Sequence, residues 1–169
     1  MSTEAAIVRE SRGGDVFAIA EIYAHYVRTS RATFETEAPG AEEIGRRRRD
    51  VVTRGLPYLV AESDGVVAGF AYAGVYRPRP AYRFTVEDSV YIRPDAVGKG
   101  IGRRLLMEVI AACQKSGARQ MIAVIGGSDN TASIALHEKL SFRHVGVLRG
   151  VGYKFDTWVD TVLMQRELK

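Results

Sequence analysis

Val97-Gly98-Lys99-Gly100-Ile101-Gly102-Arg103-Arg104 joins two apolar segments past the middle of the chain. The residues before it, Ser89-Val90-Tyr91-Ile92, read as a strand. Those after it, Leu105-Leu106-Met107-Glu108-Val109-Ile110-Ala111-Ala112-Cys113, read as a helix. Gly98, Gly100 and Gly102 therefore fall where a strand turns into a helix, and without side chains they let a ligand approach the backbone closely. The first helical turn carries N–H groups with no partner inside the helix, and the positive end of the helix dipole lies there. Together these predict a site for phosphate or pyrophosphate, with Lys99, Arg103 and Arg104 supplying further positive charge. The competing reading is a tight connecting turn in which glycine is a steric convenience.

Two familiar phosphate-binding motifs are excluded. A P-loop ends Gly-Lys-Ser/Thr, whereas Gly100 is followed by Ile101. A dinucleotide-binding unit places its glycines in a first βαβ unit with an acidic residue about 20 positions on, where this chain has Gln120-Met121-Ile122. The 169 residues, 46% hydrophobic, fit one domain spanning 1–169 with a sizeable core. Cys113, the only cysteine, falls on the apolar face of its helix and reads as core rather than nucleophile. No apolar run follows a basic start and no stretch is long enough to span a bilayer, so a cytoplasmic protein without membrane association is expected. The net charge of +4 suits an anionic ligand.

Strand and helix signals alternate without repeats. A short strand at Ala6–Arg9 precedes a helix capped by Asp15, with Phe17, Ile19, Ala20, Ile22, Tyr23, Tyr26 and Val27 as its apolar face. A second helix runs from Ala41 to about Arg54. Tyr58–Glu62 and Val66–Tyr72 flank Asp64-Gly65, a hairpin signal. After an irregular loop holding Pro78 and Pro80 come a strand at Phe84–Ile92, the glycine loop and its helix, and a strand at Gln120–Ile125. A helix from Thr131 to Leu140 and late strands at Phe142–Leu148 and Thr157–Leu168 follow, with Tyr153 and Lys154 in a loop between them. Helices do not separate every pair of strands, so the expectation is an α/β chain built on a mixed sheet, not a doubly wound one.

The glycine loop resembles the acyl-CoA loop of the GNAT superfamily of N-acetyltransferases, Gln/Arg-x-x-Gly-x-Gly/Ala, matched at Gly100 and Gly102 and departing at Val97. The resemblance continues at Asn130, which starts a helix, at Ser133, and at His137, where the family usually has a Tyr. More narrowly, the chain is similar to the phosphinothricin N-acetyltransferase branch, which also acetylates methionine sulfoximine and methionine sulfone. The matching stretches include Ala32-Thr33-Phe34-Glu35-Thr36-Glu37, Ala81-Tyr82-Arg83, Thr85-Val86-Glu87-Asp88-Ser89-Val90-Tyr91-Ile92 and Gly152-Tyr153-Lys154-Phe155. The resemblance implies a GNAT fold, with a central mixed sheet whose middle strands splay apart between flanking helices. It also implies acetyl-CoA as co-substrate, no metal, and a homodimer formed through the late strands. Val90, Tyr91, Ile92, Gly98, Lys99, Gly100, Ile101, Gly102, Arg103, Asn130 and Ser133 would then hold the co-substrate.

Acetyl transfer from a thioester to an amine needs a group to take the ammonium proton, and Glu87, just before the cofactor stretch, is the candidate base. His137 is the candidate donor to the departing thiolate, and backbone N–H groups at Val90–Ile92 would polarise the carbonyl. An amino-acid acceptor brings a carboxylate, so Arg77 and Arg83, with Arg79 and Lys154, are candidate cations. Phe34, Tyr82 and Tyr153 would wall the acceptor, and Glu87, Asp88 and Ser89 would line it. The alternatives are an acetyltransferase for another amino acid or small amine, a non-catalytic CoA-binding protein, and a nucleic-acid binder. The last is prompted by Arg46-Arg47-Arg48-Arg49, more simply read as a solvated helix face, and no base-reading motif accompanies it.

Overall fold

A computed structural model describes residues 6–169. Its strands are β1 (Ile7–Glu10), β2 (Tyr58–Ser63), β3 (Val66–Val75), β4 (Thr85–Ile92), β5 (Gln120–Gly126), β6 (Arg143–Lys154) and β7 (Thr157–Glu167). Its α-helices are α1 (Val16–Thr29), α2 (Ala41–Thr53), α3 (Ile101–Lys115) and α4 (Thr131–Lys139). The strands form one seven-stranded sheet in the order β1-β2-β3-β4-β5-β7-β6, antiparallel except between β4 and β5.

Alternation along the strands sends neighbouring side chains to opposite faces. One set, including Ala71, Ala73, Val86, Met121 and Ala123, packs under Leu105, Leu106, Val109, Ile110 and Cys113 of α3. The other, including Tyr58, Val60 and Phe70, packs under Ile19, Ile22, Tyr23 and Val27 of α1 and Ile44 of α2. The β2–β3 hairpin closes through Asp64 and Gly65, both at positive φ (52° and 75°), as a two-residue turn between right-twisted strands requires.

The feature that positions the site is the brevity of the β4–β5 pairing. The register is Thr85↔Gln120, Val86↔Met121 and Glu87↔Ile122, and there it stops. Beyond Glu87, β4 continues to Ile92 paired only with β3, and β5 continues to Gly126 paired only with β7. The sheet opens as a V at its centre.

Several expectations are corrected. Asp15 occupies the N-cap position of α1 as expected, but its side chain makes no cap bond there; its carboxylate accepts the Arg12 N–H at 2.7 Å and pairs with Arg9, which also holds Glu62. Phe17 is 66% exposed rather than on the core face, because it lies about 200° around the helix from Ile19, at roughly 100° per residue. The late hairpin is longer than expected. β6 runs on through Gly150 and Gly152 to Lys154, and the chain turns at Phe155 and Asp156, both at positive φ (53° and 54°). The arginine run is no uniform solvated face either. Arg46 pairs with Glu43 and Asp50, Arg47 pairs with Glu35 and Glu43, and Arg48 donates to Ser11, so much of its charge is spent inside the fold. Among the described residues no helix is long and apolar enough to cross a membrane.

Candidate active site

The V between β4 and β5 is a cavity of about 840 Å³. Asp88–Ile92 form one wall, Ala123–Gly126 the other, and the starts of α3 and α4 close its mouth. Gly98 and Gly100 adopt φ of 81° and 76°, conformations that L side chains rarely hold. Among the described residues no side chain caps α3, and its first internal hydrogen bond runs from the Arg104 N–H to the Gly100 carbonyl at 3.2 Å. The N–H groups of Ile101, Gly102 and Arg103 are thus helix-terminal donors at the cavity rim. Arg103 lines the cavity with its loop, whereas Lys99 is exposed outside it. Asn130 caps α4, its side chain accepting the Ser133 N–H at 3.3 Å, and both residues border the cavity.

Sequence reasoning missed the contribution of the end of α1. Tyr26, Thr29, Ser30, Arg31 and Ala32 complete the cavity wall, and the Tyr26 hydroxyl donates to the Ile92 carbonyl at the open end of β4. Tyr26 belongs to the apolar stripe of α1, and nothing local to it announces a partner 66 positions away. The Cys113 thiol, fully buried, is pushed up to about 12 by burial, which suits an inert core residue and not a nucleophile.

Glu87 and Ser89 lie on the opposite face of β4 from α3, the side of Tyr91 and α1. Burial, then the neighbouring Asp88 charge, raises the Glu87 carboxyl above its ordinary value, while Arg77 pulls it down. That effect brings Arg77 into electrostatic reach of Glu87; its guanidinium also lies over the Tyr76 ring, against which Tyr82 packs edge-on. Arg83 sits instead over Phe84, 4.6 Å from the ring centroid, and donates to the Pro80 carbonyl; Arg79 is exposed at the start of the Pro80–Tyr82 turn. Ser89 lies opposite Tyr72 of β3 on that same face. The Phe34 ring lies against Gly126 and Gly152, where an added Cβ would meet it. Tyr153 is exposed against Trp158.

Three of these positions differ from expectation. Lys154 is buried at the end of β6, and its ammonium donates to the carbonyls of Ser30 (2.7 Å) and Thr33 (2.8 Å), pinning the loop after α1 instead of facing a ligand. Asp88 faces α3, away from Glu87, because adjacent strand residues point to opposite faces. His137 borders the cavity, yet both ring nitrogens are engaged within the protein. Nδ1–H donates to the Ser133 carbonyl at 2.7 Å and Nε2 meets Asp88 Oδ2 at 2.8 Å. No ring N–H is left over to point at a sulfur.

The centrally split sheet with an uncapped, glycine-led helix at its rim is the architecture of the acyl-CoA-dependent N-acyltransferases. Residues 19–142 match the model of the acetyltransferase (GNAT) family, and the chain belongs to that family. It is 56% identical over 164 residues to a phosphinothricin N-acetyltransferase of Alcaligenes faecalis, covering 97% of this chain and 83% of that one. It is 37% identical over 161 residues to an L-methionine sulfoximine/L-methionine sulfone acetyltransferase of Salmonella typhimurium, covering 95% and 94% of the two chains. The structure superposes with a TM-score of 0.94 on a Sinorhizobium meliloti phosphinothricin acetyltransferase in complex with acetyl-CoA, at 44% identity, covering 97% and 89%.

Proposed function

We propose that this enzyme transfers the acetyl group of acetyl-CoA directly to the α-amine of a small amino-acid-like acceptor such as phosphinothricin, methionine sulfoximine or methionine sulfone. The observation that carries the reading is the placement of Glu87. It is the last β4 residue paired to β5, half-buried, raised in proton affinity, and one residue from the cavity wall. Glu87 takes a proton from the acceptor ammonium. The amine nitrogen then forms a bond to the thioester carbonyl carbon, the carbon–sulfur bond breaks, and the second nitrogen proton passes through water to the departing sulfur, so that CoA leaves as its thiol. The β5-facing backbone edge of Val90–Ile92, unpaired because of the V, supplies N–H groups to the carbonyl oxygen. The uncapped start of α3 holds the CoA phosphates.

Arg77 is the leading partner for the acceptor carboxylate, since its charge already reaches Glu87; Phe34 walls the acceptor's side chain. With both ring nitrogens committed to Ser133 and Asp88, His137 does not hand a proton to the departing sulfur directly. The chain is proposed to work in the cytoplasm as a homodimer. β6 is an edge strand exposing Val145, Val147, Leu148 and Val151 beside Trp158, which is 70% exposed, and edge strands of this kind call for cover. Sedimentation velocity at micromolar concentration checks the dimer; a strictly monomeric species sinks it.

The deciding experiment is an acceptor panel with acetyl-CoA comprising phosphinothricin, methionine sulfoximine, methionine sulfone, ordinary amino acids, spermidine and a peptide. The first three should show the highest kcat/KM. Efficient acetylation of spermidine or the peptide, with the first three ignored, overturns the acceptor class.

A further inference from the structure

We propose that Asp88 is a positioning residue: with His137 it forms a buried ionic tie at the apex of the β4–β5 cavity that holds α4, and with it the mouth of the cavity, against β4. The inference rests on the reading of that cavity as the acetyl-CoA site. Its first support is location. The backbone ladder between β4 and β5 ends at Glu87↔Ile122, and Asp88 is the next residue. Where main-chain pairing stops, a side-chain bond takes over, running from β4 to α4, the helix that follows β5. Among the described residues it is the one side-chain hydrogen bond joining β4 to α4.

The second support is the completeness of His137's restraint. Nδ1–H is fixed on the Ser133 carbonyl, Nε2 on Asp88, and the Phe142 ring packs edge-on at 4.9 Å between centroids. Ser133 is itself the residue whose N–H is capped by Asn130. The chain of contacts therefore runs from β4 through the imidazole to the first turn of α4, which borders the mouth of the cavity. A shift of Asp88 would be felt where the co-substrate enters.

The third support is the charge balance. Asp88 and His137 side chains are 2% and 3% exposed, and among the described residues Asp88 Oδ1 has no hydrogen-bond partner. A carboxylate so placed is unfavourable unless its charge is compensated nearby. His137 supplies the compensation. Burial alone would lower its proton affinity, yet the Asp88 bond and charge, with the Ser133 carbonyl, hold it above the ordinary value. Both faces of the imidazole meet acceptors, which an imidazolium satisfies with its two N–H groups. Cys113 of α3, held as a thiol, and Glu87 on the far face of β4 also feel Asp88, and neither brings a positive charge.

The test joins binding to a signature that packing alone would not move. In the parent protein near neutral pH, nitrogen–proton NMR should show two slowly exchanging ring N–H groups on His137. Asp88→Asn keeps the shape and removes the charge, so one ring N–H should remain, and acetyl-CoA should bind about tenfold more weakly by calorimetry. Acceptor KM should stay within about twofold, since the acceptor side of β4 is untouched. In the parent, acetyl-CoA affinity should fall as pH rises through the raised His137 value, and in Asp88→Asn that inflection should move to lower pH. A double variant, Asp88→Asn with His137→Gln, should bind no worse than the single one. Calorimetry on the parent comes first and separates the two ideas: a parent that does not bind acetyl-CoA refutes the cavity assignment. A parent that binds, beside a folded Asp88→Asn protein with equal affinity, overturns the tie. So does a single ring N–H in the parent, a result that needs no variant to fold.

Discussion

Gly126→Ala is the sharpest single-atom probe of how the cavity is built. Gly126 ends β5 and lines the cavity, and the loop after α1 lies directly on its α-carbon. An added Cβ would overlap the Arg31 carbonyl oxygen and come within 3.1 Å of the Phe34 ring and 3.3 Å of the Ala32 carbonyl carbon. The first of these is backbone, so no rotamer change relieves it; the loop itself must lift. Lifting it strains the Lys154 bonds to the Ser30 and Thr33 carbonyls and displaces residues that line the cavity. Overpacking of this kind destabilises by about 1–3 kcal/mol, and the backbone contact places this case near the upper end. For a chain of this size that corresponds to a Tm lowered by roughly 4–12 °C. Differential scanning calorimetry measures the shift, and titration with acetyl-CoA measures the accompanying loss of affinity. A Gly126→Ala protein with the parent's Tm and the parent's acetyl-CoA affinity would falsify the claim that loop and strand are in fixed contact.

Glu87→Gln should lower kcat by about 10²–10⁴-fold with acetyl-CoA affinity unchanged, and steady-state kinetics at neutral pH decide it. Because burial and Asp88 raise the Glu87 carboxyl, the parent's kcat/KM should rise with pH along a limb centred above the ordinary carboxylate value, and the variant should lack that limb. Arg77→Leu should reduce acceptor kcat/KM by about 10–150-fold, the equivalent of one charge-assisted hydrogen bond, with acetyl-CoA affinity unmoved. The same change should push the Glu87 limb to higher pH, since Arg77 lowers that group; a stationary limb disposes of the Arg77–Glu87 coupling. Lys154→Met strands two buried carbonyls, at about 1–3 kcal/mol each, and should appear in chemical denaturation as a lower midpoint with an unchanged slope.

The sequence carried some of this architecture openly. Asp64-Gly65 declared a hairpin because only special backbone angles close a two-residue turn, and the alternate glycines marked a helix start because Gly98 and Gly100 need positive φ. The central V was legible only through family resemblance, since no local pattern says where two parallel strands part. Asp88 was misplaced although its signal was present: it follows Glu87 on a strand, and period-2 alternation sends the pair to opposite faces. Lys154 was hidden for another reason. Gly150 and Gly152 look like strand breakers, but Gly152 is glycine because the Phe34 ring occupies the space of its side chain. A contact between residues so far apart in sequence leaves no mark on either neighbourhood. Arg47 and Arg48 were similarly opaque, their partners Glu35 and Ser11 lying outside their own helix.

A sheet joined at its centre by only Thr85↔Gln120, Val86↔Met121 and Glu87↔Ile122 has two interior borders that no neighbouring strand shields. Amide deuterium exchange should expose this directly. In the free protein, the amides along the inner borders of Val90–Ile92 and Val124–Gly126 should exchange much faster than those of the β2–β3 hairpin, although all lie within regular strands. Filling the gap with ligand should slow them selectively. The same element of structure thus gives a solution fingerprint of occupancy that needs no acceptor, no turnover and no substitution.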